Sequence, residues 1–479
     1  MRNLTLAALL LTAACATHPA GPAATASGRS PPAAAAPREV VSIPADPYPS
    51  TYRPYPSVTT VIRNANIYDG AGRKLLGGMV RLENGKVAEI GQAVAIPAGA
   101  QVVDAAGKWV TPGIIDIHSH LGDYPSPGVE ALSDGNEATG PNRSEVWAEH
   151  SIWPQDPQFT RALAGGVTTL HILPGSANLF GGRGVTVRNV LGRTAQDMKF
   201  PGAKPSLKMA CGENPKRVYG SKGQSPQTRM GNIAVDRQVW SDAVSYKRRW
   251  DDYTRRANAG NARPTEAPRR ELANDTLMGV LNGDILVENH CYRADEMANV
   301  IAMSKEFGYH VTAFHHAVEA YKIADLLKAN DICAAVWADW WGFKMESYDG
   351  IRENAAFVDA AGACVAIHSD DADGIQRLNQ EAAKAIAAGR RAGLTITPEH
   401  AWEWLSLNPA KGLGIDKETG SLEPGKRADV VLWNGEPFSV YSRPEKIWID
   451  GAVMYDWSDP NKRPRTDFEL GQPGSGDVK

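Results

Sequence analysis

The chain has 479 residues, 43% of them hydrophobic and 22% charged, with a formal net charge of −3. Such a composition buries a sizeable core and excludes global disorder. The balanced charge, without a basic or acidic run, excludes nucleic acid and other polyanions as expected partners.

Arg2 precedes an apolar stretch, Leu4 to Ala14, that is too short to span a bilayer as a stable helix. It ends in Leu11-Thr12-Ala13-Ala14-Cys15, similar to a bacterial lipobox except that Thr12 stands where leucine is usual. Residues 1–15 read as a signal peptide with a lipidated Cys15; plain cleavage after Ala16 is the alternative. Residues 16–57, dominated by Ala, Pro, Ser and Gly, read as a tether that buries too little apolar surface to fold. These features predict an exported protein on the periplasmic face of a bacterial envelope, touching the membrane only through its lipid anchor. Cys211, Cys291, Cys333 and Cys364 are scattered without a C-x-x-C pair and are expected to be mostly buried thiols.

Short β-type runs follow the tether: Thr60 to Ala65, Met79 to Leu82 and Val87 to Ile90, with Asn84-Gly85 as a hairpin turn. A second β-rich stretch, Ala428 to Trp433 and Lys446 to Gly451, comes only near the C-terminus. Residues 58–110 and 416–470 are therefore predicted to build one small β-sandwich domain from both ends of the mature chain. Between them, residues 111–415 alternate buried-strand runs with helical stretches. The strands are Gly113–Ile117, Val167–Ile172, Ser206–Ala210, Asp284–Glu288, His310–Phe314, Ile332–Val336 and Cys364–Ile367, with a weaker run near Val185-Thr186-Val187. The clearest helices are Ala294–Phe307, Ala317–Ala329 and Leu378–Ala392. Eight strands with helical crossovers predict an α/β fold, a (β/α)₈ TIM-like barrel. About residues 212–275 break the rhythm and read as an insertion on the active-site face, with a helix over Asp236–Asn258.

His118-Ser119-His120 follows the first barrel strand, where residues i and i+2 point to one side and two imidazoles can meet one metal ion. His290, the pair His315 and His316, and Asp370 follow later strands. Any one of these alone reads as a satisfied core histidine or a capping aspartate. Several strand ends each offering a nitrogen or oxygen make the pattern of a catalytic metal site. Gly181-Gly182-Arg183-Gly184 reads as a tight turn, with a substrate loop as the alternative. Arg217, Tyr219 and Arg229, in the insertion, are candidates for holding a substrate carboxylate or carbonyl, against ordinary surface pairing. The Trp337 to Trp341 cluster suits either a pocket wall or plain packing.

The chain resembles the amidohydrolase superfamily, especially its imidazolonepropionase-like and metal-dependent prolidase-like branch. The resemblance runs from about Val61 to Tyr455. It rests on Thr111-Pro112-Gly113-Ile114-Ile115-Asp116-Ile117-His118-Ser119-His120, Asn289-His290, Glu319-Ala320-Tyr321, His368-Ser369-Asp370, Asn408-Pro409-Ala410-Lys411 and the stretch Gly420 to Asp429. It implies that His118 and His120 ligate the more buried metal and that His290 and His316 ligate a second, with His315 the rival of His316. Asp370 would bind metal and accept a proton from the attacking water. Lys208, inside an apolar strand, would carry a carbamate bridging two ions; Glu213 is the competing bridge, and a mononuclear site is the outcome if neither binds. The implied cofactor is Zn²⁺, one or two divalent ions. The implied reaction is hydrolysis of an amide C–N bond in a small molecule, a dipeptide or N-acyl amino acid first. A cyclic amide and deamination are the alternatives, and a tethered binding lipoprotein with a non-catalytic barrel is the reading from another class. A homo-oligomer is compatible with the sequence.

Overall fold

The computed structural model describes residues 40–463. The signal peptide, Cys15, the cleavage point after Ala16 and the first part of the tether lie outside the described residues. Residues 40–57, expected to belong to the tether, are docked on the folded chain. Val40, Val41 and Ile43 pack on a cluster containing Trp250 and Tyr253, Asp46 pairs with Lys199 at 2.8 Å, and the Tyr52 hydroxyl donates to Asp450 at 2.6 Å. The few apolar residues in this stretch are what separates it from a true linker.

The first sheet starts with β1 (Thr60–Tyr68), β2 (Lys74–Glu83), β3 (Lys86–Gly91), β4 (Gln101–Asp104) and β5 (Trp109–Pro112). Asn84 and Gly85 turn β2 into β3 with φ of 52° and 75°, the left-handed pair that suits a two-residue hairpin. The barrel strands follow: β6 (Ile114–Ser119), β7 (Val167–Ile172), β8 (Phe180–Arg188), β9 (Ser206–Ala210), β10 (Leu286–Cys291), β11 (Ala313–His316), β12 (Cys333–Val336) and β13 (Val365–Ile367). The chain then returns to the first sheet with β14 (Val430–Trp433), β15 (Pro444–Ile449) and β16 (Ala452–Asp456). The order β16-β15-β14-β5-β1-β2-β3, with β4 beside β1, joins both ends of the chain in one sheet.

The second sheet runs β13-β12-β11-β10-β9-β8-β7-β6 and is a nearly closed barrel. At its seam the backbone N–H of Asp370 donates to the His118 carbonyl at 3.1 Å, and the Ser369 hydroxyl donates to Asp116. Every residue of β6, β7, β8 and β9 is buried, as expected of strands covered on both faces. One strand departs from the predicted pattern: β8 is antiparallel to both β7 and β9. Its connections, residues 173–179 and 189–205, contain only the short helix Ala195–Met198, too little for the crossover a parallel strand needs. The glycine run expected to be a turn lies inside this strand. A side chain at Gly182, with φ of 113°, would collide with the Val146 backbone.

The insertion leaves the C-terminal end of β9 as the helix Glu213–Gly220 and continues as the 30-residue helix Arg229–Asn258. Four cysteines expected to be thiols form two disulfides, Cys211–Cys291 and Cys333–Cys364, with Cα atoms 5.2 and 4.5 Å apart. Each joins neighbouring strands or their flanks, an adjacency set by barrel register. Arg188, at the end of β8, is fully buried and joins the two sheets: it donates to Asp429 at 2.8 Å and lies 3.5 Å from Asp450. Leaving such a buried charge unpaired costs about 3–5 kcal/mol. Asp429, part of the late sequence signature, therefore holds the β domain against the barrel.

Candidate metal centre

β6 delivers His118, and His120 follows it at the same-side spacing. Their Nε2 atoms lie 3.3 Å apart. The Leu173 carbonyl lies 2.6 Å from His120 Nδ1 and turns Nε2 of that ring inward. Asp370, just past β13, sets Oδ1 3.2 Å from His118 Nε2 and 3.1 Å from His120 Nε2. Lys208, on β9, brings Nζ within 3.4 Å of His118 Nε2. β10 and β11 contribute His290 and His316, whose ring centroids are 4.5 Å apart, and His316 Nδ1 stands 3.9 Å from Asp370 Oδ2. All six primary ligand candidates from the sequence are thus brought to one end of the barrel.

His315 and His316 are both buried at the cluster because the strand breaks there. His316 and Ala317 have φ of 68° and 37°, and Asp370 has 58°. Non-glycine residues in the left-handed region carry backbone strain, which concentrates at functional sites. The two imidazoles differ in what they touch. His315 spends both nitrogens on protein, Nδ1 at 2.8 Å from His118 Nδ1 and Nε2 at 2.6 Å from Glu288. His316 Nδ1 has no hydrogen-bond partner. The geometry therefore favours His316 as the ligand.

The buried nitrogens of His290 and His368, both in each ring, are also without hydrogen-bond partners. Buried polar atoms are rarely left so. Two groups, His118 with His120 and Asp370, and His118 with His316 and His368, hold ligand atoms within 4.8 Å of one another. Imidazole and carboxylate donors converging in this way suit a divalent metal ion.

Burial and the nearby Lys208 push the His118 imidazole well below its ordinary value; burial does the same to His316, which favours the neutral form that can donate a lone pair. Burial opposes ionisation of Asp370, but His316, a hydrogen bond from His120 and His368 outweigh it and hold the carboxyl low. Burial pulls the Lys208 ammonium down to about 8 against the pull of Asp370 and Glu288. A lysine with an accessible free amine is the form that CO₂ can carboxylate.

Glu213 stands apart. Its backbone N–H donates to Glu346 at the mouth of the barrel, and its charge acts on Tyr292 and Lys344. Lys208 is the bridging candidate that touches the imidazoles. Arg229 is engaged by Glu296 at 2.9 Å and Glu346 at 2.6 Å. Tyr219 is buried and donates to the Gly140 carbonyl at 2.7 Å, while Arg217 is exposed on the helix Glu213–Gly220. Trp337 stacks on His316 at 4.3 Å, and Trp340 and Trp341 are exposed beyond it. The Trp cluster is packing at one end and surface at the other.

Sequence reasoning assigned no role to His368 or Glu288. Both carry a readable signal: each sits two residues before a candidate ligand, and Glu288 shares its side of β10 with His290.

A nearly closed barrel whose strand ends converge on a histidine, lysine and aspartate cluster defines the class. A model of the amidohydrolase family matches residues 281–461. The solved structure of an amidohydrolase from Thermotoga maritima MSB8 is 34% identical, aligns with 83% of this chain and 100% of its own, and has a TM-score of 0.75. Amidohydrolase tasK of Hapsidospora irregularis is 32% identical over 432 residues, 83% of this chain; the chain spans 43% of the length of tasK. The imidazolonepropionase of Bacillus cereus (strain B4264) is 23% identical over 423 residues, 79% of this chain and 89% of that enzyme. The chain belongs to the amidohydrolase family.

Proposed function

We propose that the chain hydrolyses a C–N bond beside a carbonyl in a small molecule, using water activated at a divalent metal centre held by His118, His120, Lys208, His290, His316 and Asp370. The observation that carries this reading is the set of buried, partnerless imidazole nitrogens at the strand ends, with His316 Nδ1 among them 3.9 Å from the Asp370 carboxylate. A divalent ion bound there supplies Lewis acidity and brings the pKa of water toward neutrality. Asp370, fixed between His118 and His120, takes the proton of the attacking water and returns it to the leaving nitrogen. Lys208, as a carbamate, adds two oxygens where an ammonium would repel a cation.

A dipeptide is the favoured substrate. Beside the turn after His120 lies a cavity of about 520 Å³ lined by Asp134, Glu137 and Glu145, among others. Its carboxylates suit a cationic group, which favours a free amino terminus over an N-acyl cap. A library of dipeptides, N-acyl amino acids, cyclic amides and aminated heterocycles, assayed with and without chelator, tests the proposal. Dipeptide turnover that chelator abolishes and zinc restores is expected; no turnover of any C–N substrate by metal-loaded protein leaves the binding-lipoprotein reading in its place.

We further infer export with Cys15 as a lipid anchor. The two disulfides support it, since such bonds persist in oxidising compartments. Cys15→Ala is expected to move the protein from the membrane to the soluble periplasmic fraction; a wild type already soluble there favours cleavage after Ala16, and a cytoplasmic one removes the export reading.

A further inference from the structure

The contacts behind His118 form a chain of their own. His118 Nε2 is the atom that faces His120, Asp370 and Lys208. Its other nitrogen, Nδ1, lies 2.8 Å from His315 Nδ1, and His315 Nε2 lies 2.6 Å from Glu288 Oε2. His118, His315 and Glu288 are each 0% exposed, so no water competes for these atoms. β10 and β11 are paired in register, with Glu288 opposite Ala313 and His290 opposite His315. That register sets the carboxyl within reach of the His315 ring.

We infer that Glu288 and His315 are positioning residues that fix the tautomer and ring orientation of His118 and so set how tightly the centre holds its metal. The inference rests on the metal-centre reading above. An imidazole offering Nε2 to an ion must carry its proton on Nδ1 and needs an acceptor for it. His315 Nδ1 is that acceptor. It then carries its own proton on Nε2, which donates to the Glu288 carboxyl oxygen. Only this direction of donation leaves His118 Nε2 with its lone pair free, so the three residues specify one arrangement among several tautomers. His290 lacks any comparable support among the described residues, since no hydrogen-bond partner meets either of its nitrogens. The relay therefore gives the His118 side of the centre the firmer hold.

Zinc affinity by chelator competition is the measurement, on full-length protein verified as folded by circular dichroism. His315→Phe removes the acceptor behind His118 and is expected to weaken zinc binding about 10–100-fold, the usual range for loss of such a partner. Glu288→Leu removes the terminal acceptor and is expected to weaken it about tenfold, while Glu288→Gln, which keeps an acceptor oxygen, stays within about threefold of wild type. The Glu288 pair decides the matter alone if His315→Phe fails to fold. Equal affinity of Glu288→Leu and wild type overturns the relay. Loss of one whole zinc equivalent in His315→Phe, with full retention in His316→Phe, also overturns it, because His315 would then be a ligand. Wild-type protein that binds no divalent ion overturns the metal-centre reading itself, an outcome distinct from both.

Discussion

Asp370→Asn is expected to lower turnover by about 10²-fold or more, the contribution typical of a general acid–base group, with a melting temperature close to wild type. The substitution is unusually clean here. Asp370 sits at φ of 58°, a left-handed conformation that Asn adopts as readily as Asp, so the backbone need not move. The amide keeps an oxygen for the position 3.1 Å from His120 and 3.2 Å from His118. What disappears is the carboxylate's negative charge and with it the capacity to take a proton. Near-normal turnover at full metal content would remove Asp370 from that role.

Lys208→Ala should lose one metal equivalent and most activity. Lys208 is 1% exposed, on a strand paired with β8 and β10 where its neighbours are Gly182 and Glu288. An ammonium there bears a heavy desolvation cost, and ions beside it would add repulsion. Carbamylation would remove the charge and supply ligand oxygens, which would account for both residue type and position. Lys208→Met, which fills the volume without an amine, separates this chemistry from a packing defect and should lose the same metal equivalent. Acetate or propionate added to Lys208→Ala is expected to restore part of both metal content and activity by occupying the vacated space. Both variants keeping two ions and wild-type activity would contradict the bridging role.

The parts of this molecule legible in its sequence are those governed by short-range periodicity. Val167–Ile172 and Ser206–Ala210 are strands with the bounds their apolar runs indicate, and Ala294–Phe307 is a helix from the first residue of its pattern to the last. His118 and His120 were legible as a pair because two-residue spacing in a strand is itself a statement of direction. Features that depend on which strands become neighbours were not. The direction of β8 follows from connection lengths, and its glycines, needed where Val146 and Ser206 approach, masked it as a turn. The disulfides required the pairing of β9 with β10 and of β12 with β13. The expected strand His310–Phe314 starts too early, since the strand is shifted toward the histidines and spans Ala313–His316; that shift also puts His315 against Glu288. β4 and β5 are short and gain their definition from partners far away in sequence. His368 and Glu288 have no role in the sequence reading although His368 lies within the motif His368-Ser369-Asp370 and Glu288 ends the expected strand Asp284–Glu288.

Anomalous diffraction at the zinc edge from crystals of zinc-loaded protein tests the central claim most directly. The account predicts a peak coordinated by His118, His120 and Asp370, a second by His290 and His316, and carboxylated Lys208 between them. Zinc bound elsewhere, with these six side chains coordinating nothing, would contradict it.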